Sequence, residues 1–281
     1  MEGVRQLHEK KELLERVLYT VTRVFSDKAV GSGTLLYSKA CEDRPDEFET
    51  YVLTNHHVVN DLLSYKKEWD PVLQRDVKLE IKAAGSAQEF RYRPGRTVVV
   101  GESSVKADIV AYDVRQDLAL LKLRDIKKYE YIAELWSKEA HLEMLMELYC
   151  VGCGMGQRPL MTHGYLSGMS IEIENYDYCL STAASIYGNS GGAVFNIDTL
   201  QFVGVPSRIT VSMLGFQSIT HMGYFIPVNR VYNFLDEQCF QFIYDHAYNP
   251  SKCAKLREQK RELELAEYKS KVVSGAEEEE S

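Results

Sequence analysis

Short segments that alternate apolar and polar residues recur along this chain, and they restrict its fold more than any other feature. Alternation places successive side chains on opposite faces, as in a half-buried strand, and residues 17–25 show it first. Turn signals separate the segments, and the helices that a parallel α/β sheet needs between its strands are mostly missing. The pattern therefore predicts an all-β barrel or sandwich. The further strand segments are Val30–Leu36, Glu49–Thr54, Val77–Ala83, Thr97–Val100, Ile109–Asp113, Ala119–Leu123, Leu148–Val151, His163–Ile173, Tyr178–Ser181, Ala193–Asn196 and Phe202–Val205.

Helical patterns are found at the two ends of the chain. Residues 2–16 place apolar side chains at helical spacing and predict a short amphipathic helix. Asn229–Tyr244 predicts a closing helix, with Asn229 as its N-cap. The charged stretch Lys252–Lys271 predicts an exposed or partner-binding helix, and the acidic residues after it predict an end without fixed structure. The expected divisions are 1–16 for an N-terminal helix, 17–244 for the folded domain, and 245–281 for the charged helix and acidic tail.

The composition excludes two classes of partner. Lys and Arg number 33 against 41 Asp and Glu, so the net charge is −8 at pH 7 and no general attraction to nucleic acid is expected. No apolar run approaches the roughly 18 residues that a membrane-spanning helix needs. The first residues, Met1–Lys11, are polar and lack the apolar stretch of a secretory signal. The sequence therefore predicts a cytoplasmic protein without a nucleic-acid or membrane partner.

The six cysteines include one closely spaced pair, Cys150 and Cys153. A CxxC pair can bind zinc or perform redox chemistry, but no second pair follows at the spacing of a zinc ribbon. The pair also lies where a strand is expected to run into a glycine turn. Buried, reduced thiols are the favoured interpretation, and no metal or cofactor is expected.

Three segments carry residue types that together can perform nucleophilic catalysis. Tyr51–Val59 ends a strand with two histidines, Asp117–Leu123 begins a strand with an acid, and Gly188–Gly192 places a serine in a glycine-flanked turn. A serine hydroxyl needs an imidazole to take its proton, and the imidazole needs a carboxylate to fix its tautomer. Backbone N–H groups beside glycines can stabilise an oxyanion. Each segment alone is common, but the order His, Asp, Ser on an all-β background is a known triad order of two-barrel proteases.

These segments resemble the chymotrypsin-fold serine proteases, and within them the bacterial HtrA/Deg-type protease domain. The resemblance covers residues 17–244, and its motifs are specific. They are Gly31-Ser-Gly33 before the histidine strand, Thr54-Asn-His-His-Val58, Asp117-Leu-Ala-Leu-Leu, Ser181-Thr-Ala-Ala-Ser-Ile-Tyr-Gly-Asn-Ser190-Gly-Gly, and the closing strand Gly223-Tyr-Phe-Ile-Pro227.

The resemblance implies a fold and an activity. The fold would be two six-stranded antiparallel β-barrels flanked by N- and C-terminal helices, and the substrate a protein or peptide cleaved through an acyl-enzyme. It implies Ser190 as nucleophile, His57 (and not His56) as general base and then acid, and Asp117 as the orienting carboxylate. The backbone N–H groups of Gly188 and Ser190 would form the oxyanion hole.

The expected specificity follows from residues that the family places around the substrate. Ala184 lies six residues before Ser190, at the base of the primary pocket, where a carboxylate would select Arg or Lys. Alanine there, with Phe225 narrowing the pocket, predicts cleavage after small or medium apolar residues. The segment that contains Val203 and Val205 is expected to pair with the substrate backbone, although Pro206 removes one donor from it.

Some alternatives remain open from the sequence. Asp108 and Asp113 are rival acids, although neither begins an apolar strand as Asp117 does. The long charged segment between His57 and Asp117 is expected to be a lid or a partner surface. The tail after residue 245 is too short and too charged for a PDZ domain. A latent or non-catalytic scaffold that acts through its helical termini is the alternative to an active protease.

Overall fold

The alternating segments form the strands of two closed antiparallel barrels in the computed structural model, which describes residues 9–70, 75–211 and 217–279. The first barrel has the strand order β1-β2-β3-β8-β7-β6. Its core is one cluster of buried aliphatic side chains that includes Val24, Val52 and Leu121. Its strands are β1 (Val21–Phe25), β2 (Val30–Ala40), β3 (Phe48–Thr54), β6 (Gly85–Tyr92), β7 (Val99–Asp113) and β8 (Leu118–Leu123).

The second barrel has the order β10-β11-β14-β13-β12-β9 and its own core, in which Leu148, Leu166 and Val194 are buried. Each barrel closes on itself, so its alternate residues point into a shared interior and the sequence reads as alternation. The prediction of two six-stranded antiparallel barrels is confirmed. The strands are β9 (Glu147–Gly152), β10 (Leu160–Ile173), β11 (Tyr176–Ser181), β12 (Ala193–Asn196), β13 (Phe202–Val211) and β14 (Ser218–Pro227).

The charged segment between the histidine and the acid differs from its prediction. Its first part forms a separate two-stranded ribbon, β4 (Leu63–Asp70) with β5 (Arg75–Lys82). Its second part is not a lid, because residues 85–92 are β6, a strand of the first barrel that buries Ala87 and Phe90. No alternation of apolar and polar residues marks β6 in the sequence, because the polar side chains of Ser86 and Gln88 are buried beside Ala87.

Helices occupy the ends of the described chain. Helix α1 is α-helical over 9–13 and π-helical over Leu14–Leu18. Val17 therefore belongs to a helix, and β1 begins later than expected. Residues 2–8 of the predicted helix lie outside the described residues. Helices α3 (Val228–Glu237) and α4 (Pro250–Glu279) follow the second barrel, and the short α2 (His56–Val59) lies between β3 and β4. Helix α4 includes most of the acidic run that was expected to have no fixed structure. None of the helices within the described residues is long and apolar enough to cross a membrane.

The chain divides into two compact units, Met1–Val231 and Tyr232–Ser281. The first unit contains both barrels, and the second contains the end of α3 and all of α4. This division falls before the expected boundary at residue 244, and the domain limits given above stay a prediction.

Candidate active site

His57 and Asp117 form a hydrogen-bonded pair. His57 lies in α2, directly after β3, and Asp117 lies directly before β8. These strands are antiparallel neighbours, with Thr54 opposite Ala119, so the ends that carry the two side chains meet. Nδ1 of His57 lies 3.0 and 2.9 Å from Oδ1 and Oδ2 of Asp117, and the His57 backbone N–H donates to Oδ1 at 3.0 Å. A carboxylate on Nδ1 fixes the tautomer whose Nε2 can accept a proton.

The carboxylate of Asp117 is shielded and kept ionised by its neighbours. Only 13% of its side chain is exposed, against 48% of the His57 side chain. Ser207 donates its hydroxyl to Oδ2 of Asp117 at 2.7 Å. Burial raises the pKa of the Asp117 carboxyl, but the hydrogen bonds and charge of its neighbours more than offset this, so the pKa is below its usual value. Asp117 is therefore negatively charged beside His57 at neutral pH.

Ser190 lies in a tight turn between β11 and β12, where two glycines adopt backbone conformations that other residues rarely take. Gly188 has a φ of 96° and Gly191 a φ of 82°. A Cβ on Gly188 would lie 2.6 Å from the carbonyl oxygen of Cys153, and one on Gly191 would lie 2.3 Å from that of Ser32. Both positions therefore require glycine, which explains the glycines that flank the serine in the sequence.

Ser32 fastens this turn to the first barrel. Its backbone N–H donates to the Ser190 carbonyl at 2.8 Å, and its hydroxyl donates to the Gly188 carbonyl at 2.7 Å. The same hydroxyl accepts the N–H of Cys153 at 2.7 Å. The Gly31-Ser-Gly33 motif is thus a docking point for the serine turn, which a reading of single strands does not reveal.

The hydroxyl of Ser190 donates to the backbone carbonyl of Ser207 at 3.3 Å. Within the part of the chain that the structure describes, it makes no hydrogen bond to Nε2 of His57. Such bonds are often long before substrate binds and shorten in the complex. Ser207 contacts both ends of the site, since its side chain reaches Asp117 and its carbonyl reaches Ser190. The sequence analysis missed Ser207, for which the only signal is a polar residue directly after Pro206.

The backbone N–H groups of Gly188 and Ser190 are the predicted oxyanion donors. The N–H of Asn189, between them, donates to the carbonyl of Ile186 at 3.0 Å and is used within the turn. Neither Gly188 N–H nor Ser190 N–H has an acceptor among the described residues. Two free donors, one residue on either side of an occupied one, are what an oxyanion site requires.

A small cavity lies between the residues that precede the serine turn and strand β14. Its volume is about 10 Å³, close to the space of one water molecule. Phe225 lines it together with Ser185 and Gly223. Ala184 is not among its lining residues, and the Ala184 carbonyl instead accepts the hydroxyl of Thr162 at 2.7 Å. The role of Ala184 at the base of the primary pocket stays a prediction, and Ser185 is a second candidate for that position.

The prediction that Val203 and Val205 pair with the substrate backbone is wrong. Both side chains are fully buried, and β13 is bonded on both edges there, to β12 and to β14. After Pro206 the strand pairs with β14 alone, so residues 207–211 have a second edge that can bind a peptide backbone. The apolar run identified the strand correctly but not where its edge becomes free.

The rival side chains are engaged elsewhere. Asp108 binds the Arg124 guanidinium with both oxygens, at 2.9 and 2.7 Å, and Asp113 accepts the Gln116 N–H at 2.9 Å. His56 is buried against the ring of Tyr112, with 5.3 Å between centroids. Burial lowers the pKa of His56, which is therefore neutral at pH 7. Asp117 and His57 are thus the acid and the histidine that the structure brings together.

Both cysteines of the CxxC pair are buried. Burial raises the pKa of Cys150 to about 11 and that of Cys153 to about 12. Both are therefore protonated thiols at neutral pH, whereas metal binding and thiol exchange need the thiolate. The described residues contain no cluster of three or more potential metal ligands.

Comparison with known families agrees with this geometry. The model of the trypsin-like peptidase domain matches residues 31–205, which is more than half of the chain. The chain belongs to the trypsin-like peptidase domain family. The prediction of the family is thereby confirmed, and the relatives named below as serine proteases support the predicted enzyme class over the non-catalytic alternative.

Curated relatives resemble the chain in sequence, and a solved structure resembles it in fold. The chain is 27% identical over 217 residues to a probable periplasmic serine endoprotease DegP-like from Buchnera aphidicola, which covers 76% of this chain and 37% of that protein. It is 27% identical over 221 residues to the serine protease Do-like HtrA of Lactococcus lactis, covering 74% and 44%. The chain thus spans less than half of these relatives. The HtrA-type protease AlgW with tripeptide shares the fold at a TM-score of 0.59 and 18% identity, covering 83% of this chain and 64% of that one.

The predicted cytoplasmic location is contradicted by the names of the relatives. Those from Buchnera aphidicola, Pseudomonas fluorescens and Rhizobium meliloti are all named periplasmic endoproteases. The prediction rested on the polar character of Met1–Lys11, and those residues do not determine the compartment.

Proposed function

We propose that this protein is a serine endopeptidase that hydrolyses peptide bonds through an acyl-enzyme, with Ser190 as nucleophile, His57 as general base and Asp117 as orienting acid. The observation that carries the proposal is the contact of the Asp117 carboxylate with Nδ1 of His57, at 2.9 and 3.0 Å. Family membership supports the reaction class, and the residue roles are proposed from the geometry.

The proposed mechanism follows from these groups. Oγ of Ser190 attacks the substrate carbonyl carbon while its proton passes to Nε2 of His57, and Asp117 stabilises the imidazolium. The backbone N–H groups of Gly188 and Ser190 bind the oxyanion. His57 then protonates the leaving amine as the C–N bond breaks, which leaves the acyl group on Ser190. A water molecule, deprotonated by His57, hydrolyses this ester and restores the serine.

We propose that cleavage follows small apolar residues. The cavity of about 10 Å³ beside Ser185, Gly223 and Phe225 holds a methyl-sized group but not an aromatic ring or a long cation. The free edge of residues 207–211 would pair with the substrate backbone. Partners that bind through the N- or C-terminal helices stay a prediction.

A fluorophosphonate probe tests this proposal, because it labels a serine only when its hydroxyl is activated. We expect labelling of the wild type, mapped to Ser190 by peptide mass spectrometry. Ser190→Ala and His57→Ala should not be labelled, whereas the matched control Ser137→Ala, at an exposed serine bound to Glu139, should be labelled as the wild type is. Equal labelling of Ser190→Ala would refute the assignment of the nucleophile.

A further inference from the structure

The backbone at Asp117 adopts a conformation that costs free energy. Its φ is 55°, in the left-handed region that non-glycine residues seldom occupy. Neighbouring groups hold the turn: the Asp113 carboxylate accepts the N–H of Gln116 at 2.9 Å, and the Asn55 amide donates to the Asp117 carbonyl at 2.8 Å. This conformation accompanies the contact between the carboxylate and His57. A residue that holds this turn in place therefore also holds the Asp117 carboxylate in place.

A buried arginine binds the carbonyl directly before Asp117. Arg230, in α3, donates from Nη2 to the Gln116 carbonyl at 2.9 Å and from Nη1 to the Asp177 carbonyl at 3.1 Å. Its guanidinium lies 4.6 and 4.9 Å from the ring centroids of Tyr176 and Tyr178. The planar fork of an arginine can reach two carbonyls at once, which a lysine cannot do with the same geometry. Arg230 therefore links the turn that ends in Asp117 to the start of β11 in the second barrel.

The setting of Arg230 is unfavourable for a side chain that serves only packing. Arg230 is 6% exposed, and its Nε has no hydrogen-bond partner. No carboxylate forms an ion pair with it among the described residues. A buried cation held only by carbonyls and aromatic rings costs more than an apolar side chain of similar volume. Its position next to the acid gives a reason for that cost.

We propose that Arg230 is a positioning residue that holds the Gln116–Asp117 peptide in the orientation that aims the Asp117 carboxylate at His57. This inference rests on the proposed triad. Without Arg230 the Gln116 carbonyl loses the guanidinium donor and the left-handed turn can relax, which moves the carboxylate relative to Nδ1. Displacements of about 1 Å in catalytic groups cost about 100-fold in rate, so a partial relaxation is measurable.

The test is the rate of fluorophosphonate labelling of Ser190, which needs no knowledge of the natural substrate. We expect Arg230→Met, which keeps an unbranched side chain but removes the guanidinium donors, to be labelled about 10-fold more slowly or worse. Arg230→Lys should be intermediate. The matched control is Arg257→Met, because Arg257 also donates to a carbonyl, that of Cys239 at 2.7 Å, and lies over a phenyl ring, but belongs to the C-terminal unit. That control should be labelled at the wild-type rate.

Two readouts separate positioning from a purely structural role. The acidic limb of the pH–rate profile should move to lower pH in Arg230→Met, because a displaced carboxylate stabilises the imidazolium less. In the Asp117→Asn background, Arg230→Met should cause no further loss of rate, since the group through which it acts is already neutral.

Each outcome decides a different point. Wild-type labelling rates in both Arg230 variants, or an undiminished loss in the Asp117→Asn background, would overturn the role of Arg230 while leaving the protease intact. Wild-type protein that is folded but unlabelled would instead overturn the proposed function. If Arg230→Met does not fold, Arg230→Lys decides the matter, because a lysine variant with normal unfolding and normal labelling would also overturn the proposal.

Discussion

Removing the hydroxyl of Ser207 perturbs the site at a side chain that donates directly to the Asp117 carboxylate. The bond is 2.7 Å long and ends on a carboxylate that is 13% exposed. Hydrogen bonds to charged groups contribute about 1.5–3 kcal/mol, so Ser207→Ala should lower the free energy of unfolding at pH 7 by that amount. If the same stabilisation of the charged carboxylate is lost in the transition state, labelling of Ser190 should slow by about 10-fold to 100-fold.

The dependence of this loss on pH identifies its cause. The folded-state pKa of Asp117 is lowered, so its ionised form stabilises the protein above the pKa of the unfolded chain, and this stability is lost as pH falls through the folded pKa. Without Ser207 the folded-state pKa of Asp117 is higher, so the stabilisation is smaller and is already lost completely at a higher pH. Urea unfolding from pH 7 to pH 3 measures this, with Asp117→Asn as control. A destabilisation of Ser207→Ala that is the same at every pH would refute the link to the carboxylate charge.

Three further predictions test other parts of the structure. Burial lowers the pKa of His56, so the folded state resists its protonation and stability falls as pH drops below about 6.5; His56→Phe should reduce this acid sensitivity in urea unfolding between pH 7 and pH 5. Gly191→Ala should lower the free energy of unfolding by at least about 1–3 kcal/mol from the φ alone, and it should abolish labelling because its Cβ would lie 2.3 Å from the Ser32 carbonyl oxygen. A Gly191→Ala variant that unfolds at the wild-type temperature and is labelled normally would contradict this. Gly223→Ala would place a Cβ 2.9 Å from the Cβ of Ser185 and so narrow the cavity. Cleavage of a peptide library that varies the residue before the cleaved bond should then show a stronger preference for the smallest residues. An unchanged cleavage profile would exclude the cavity as the specificity site.

Strands whose apolar residues face a closed core could be predicted closely from the sequence. Ala193–Asn196 was predicted with the bounds that β12 has, because all four residues are buried. The three segments proposed to carry the catalytic residues could also be recognised, since each one joins a buried strand to polar residues at its end, as β3 does before His57. Short-range pattern and local chemistry agree at these positions.

Features that depend on distant parts of the chain could not be predicted. Residues 85–92 form a barrel strand in which the polar residues Ser86 and Gln88 are buried, and Val203 and Val205 lie where both edges of β13 are already paired. Ser207 and Arg230 reach Asp117 or its turn from 90 and 114 residues away, and no local pattern indicates those contacts. The sequence likewise does not indicate the positive φ of Asp117.

The most direct test of the central claim, that Ser190 forms an acyl-enzyme with the help of His57 and Asp117, is the pre-steady-state reaction with p-nitrophenyl acetate. Its acetyl group is small enough for the cavity beside Ser185. We predict a burst of one p-nitrophenol per folded chain, with the acetyl group on Ser190 by intact-protein and peptide mass spectrometry, and no burst from Ser190→Ala. Folded wild-type protein that releases p-nitrophenol without a burst and without acetylation of Ser190 would contradict the claim.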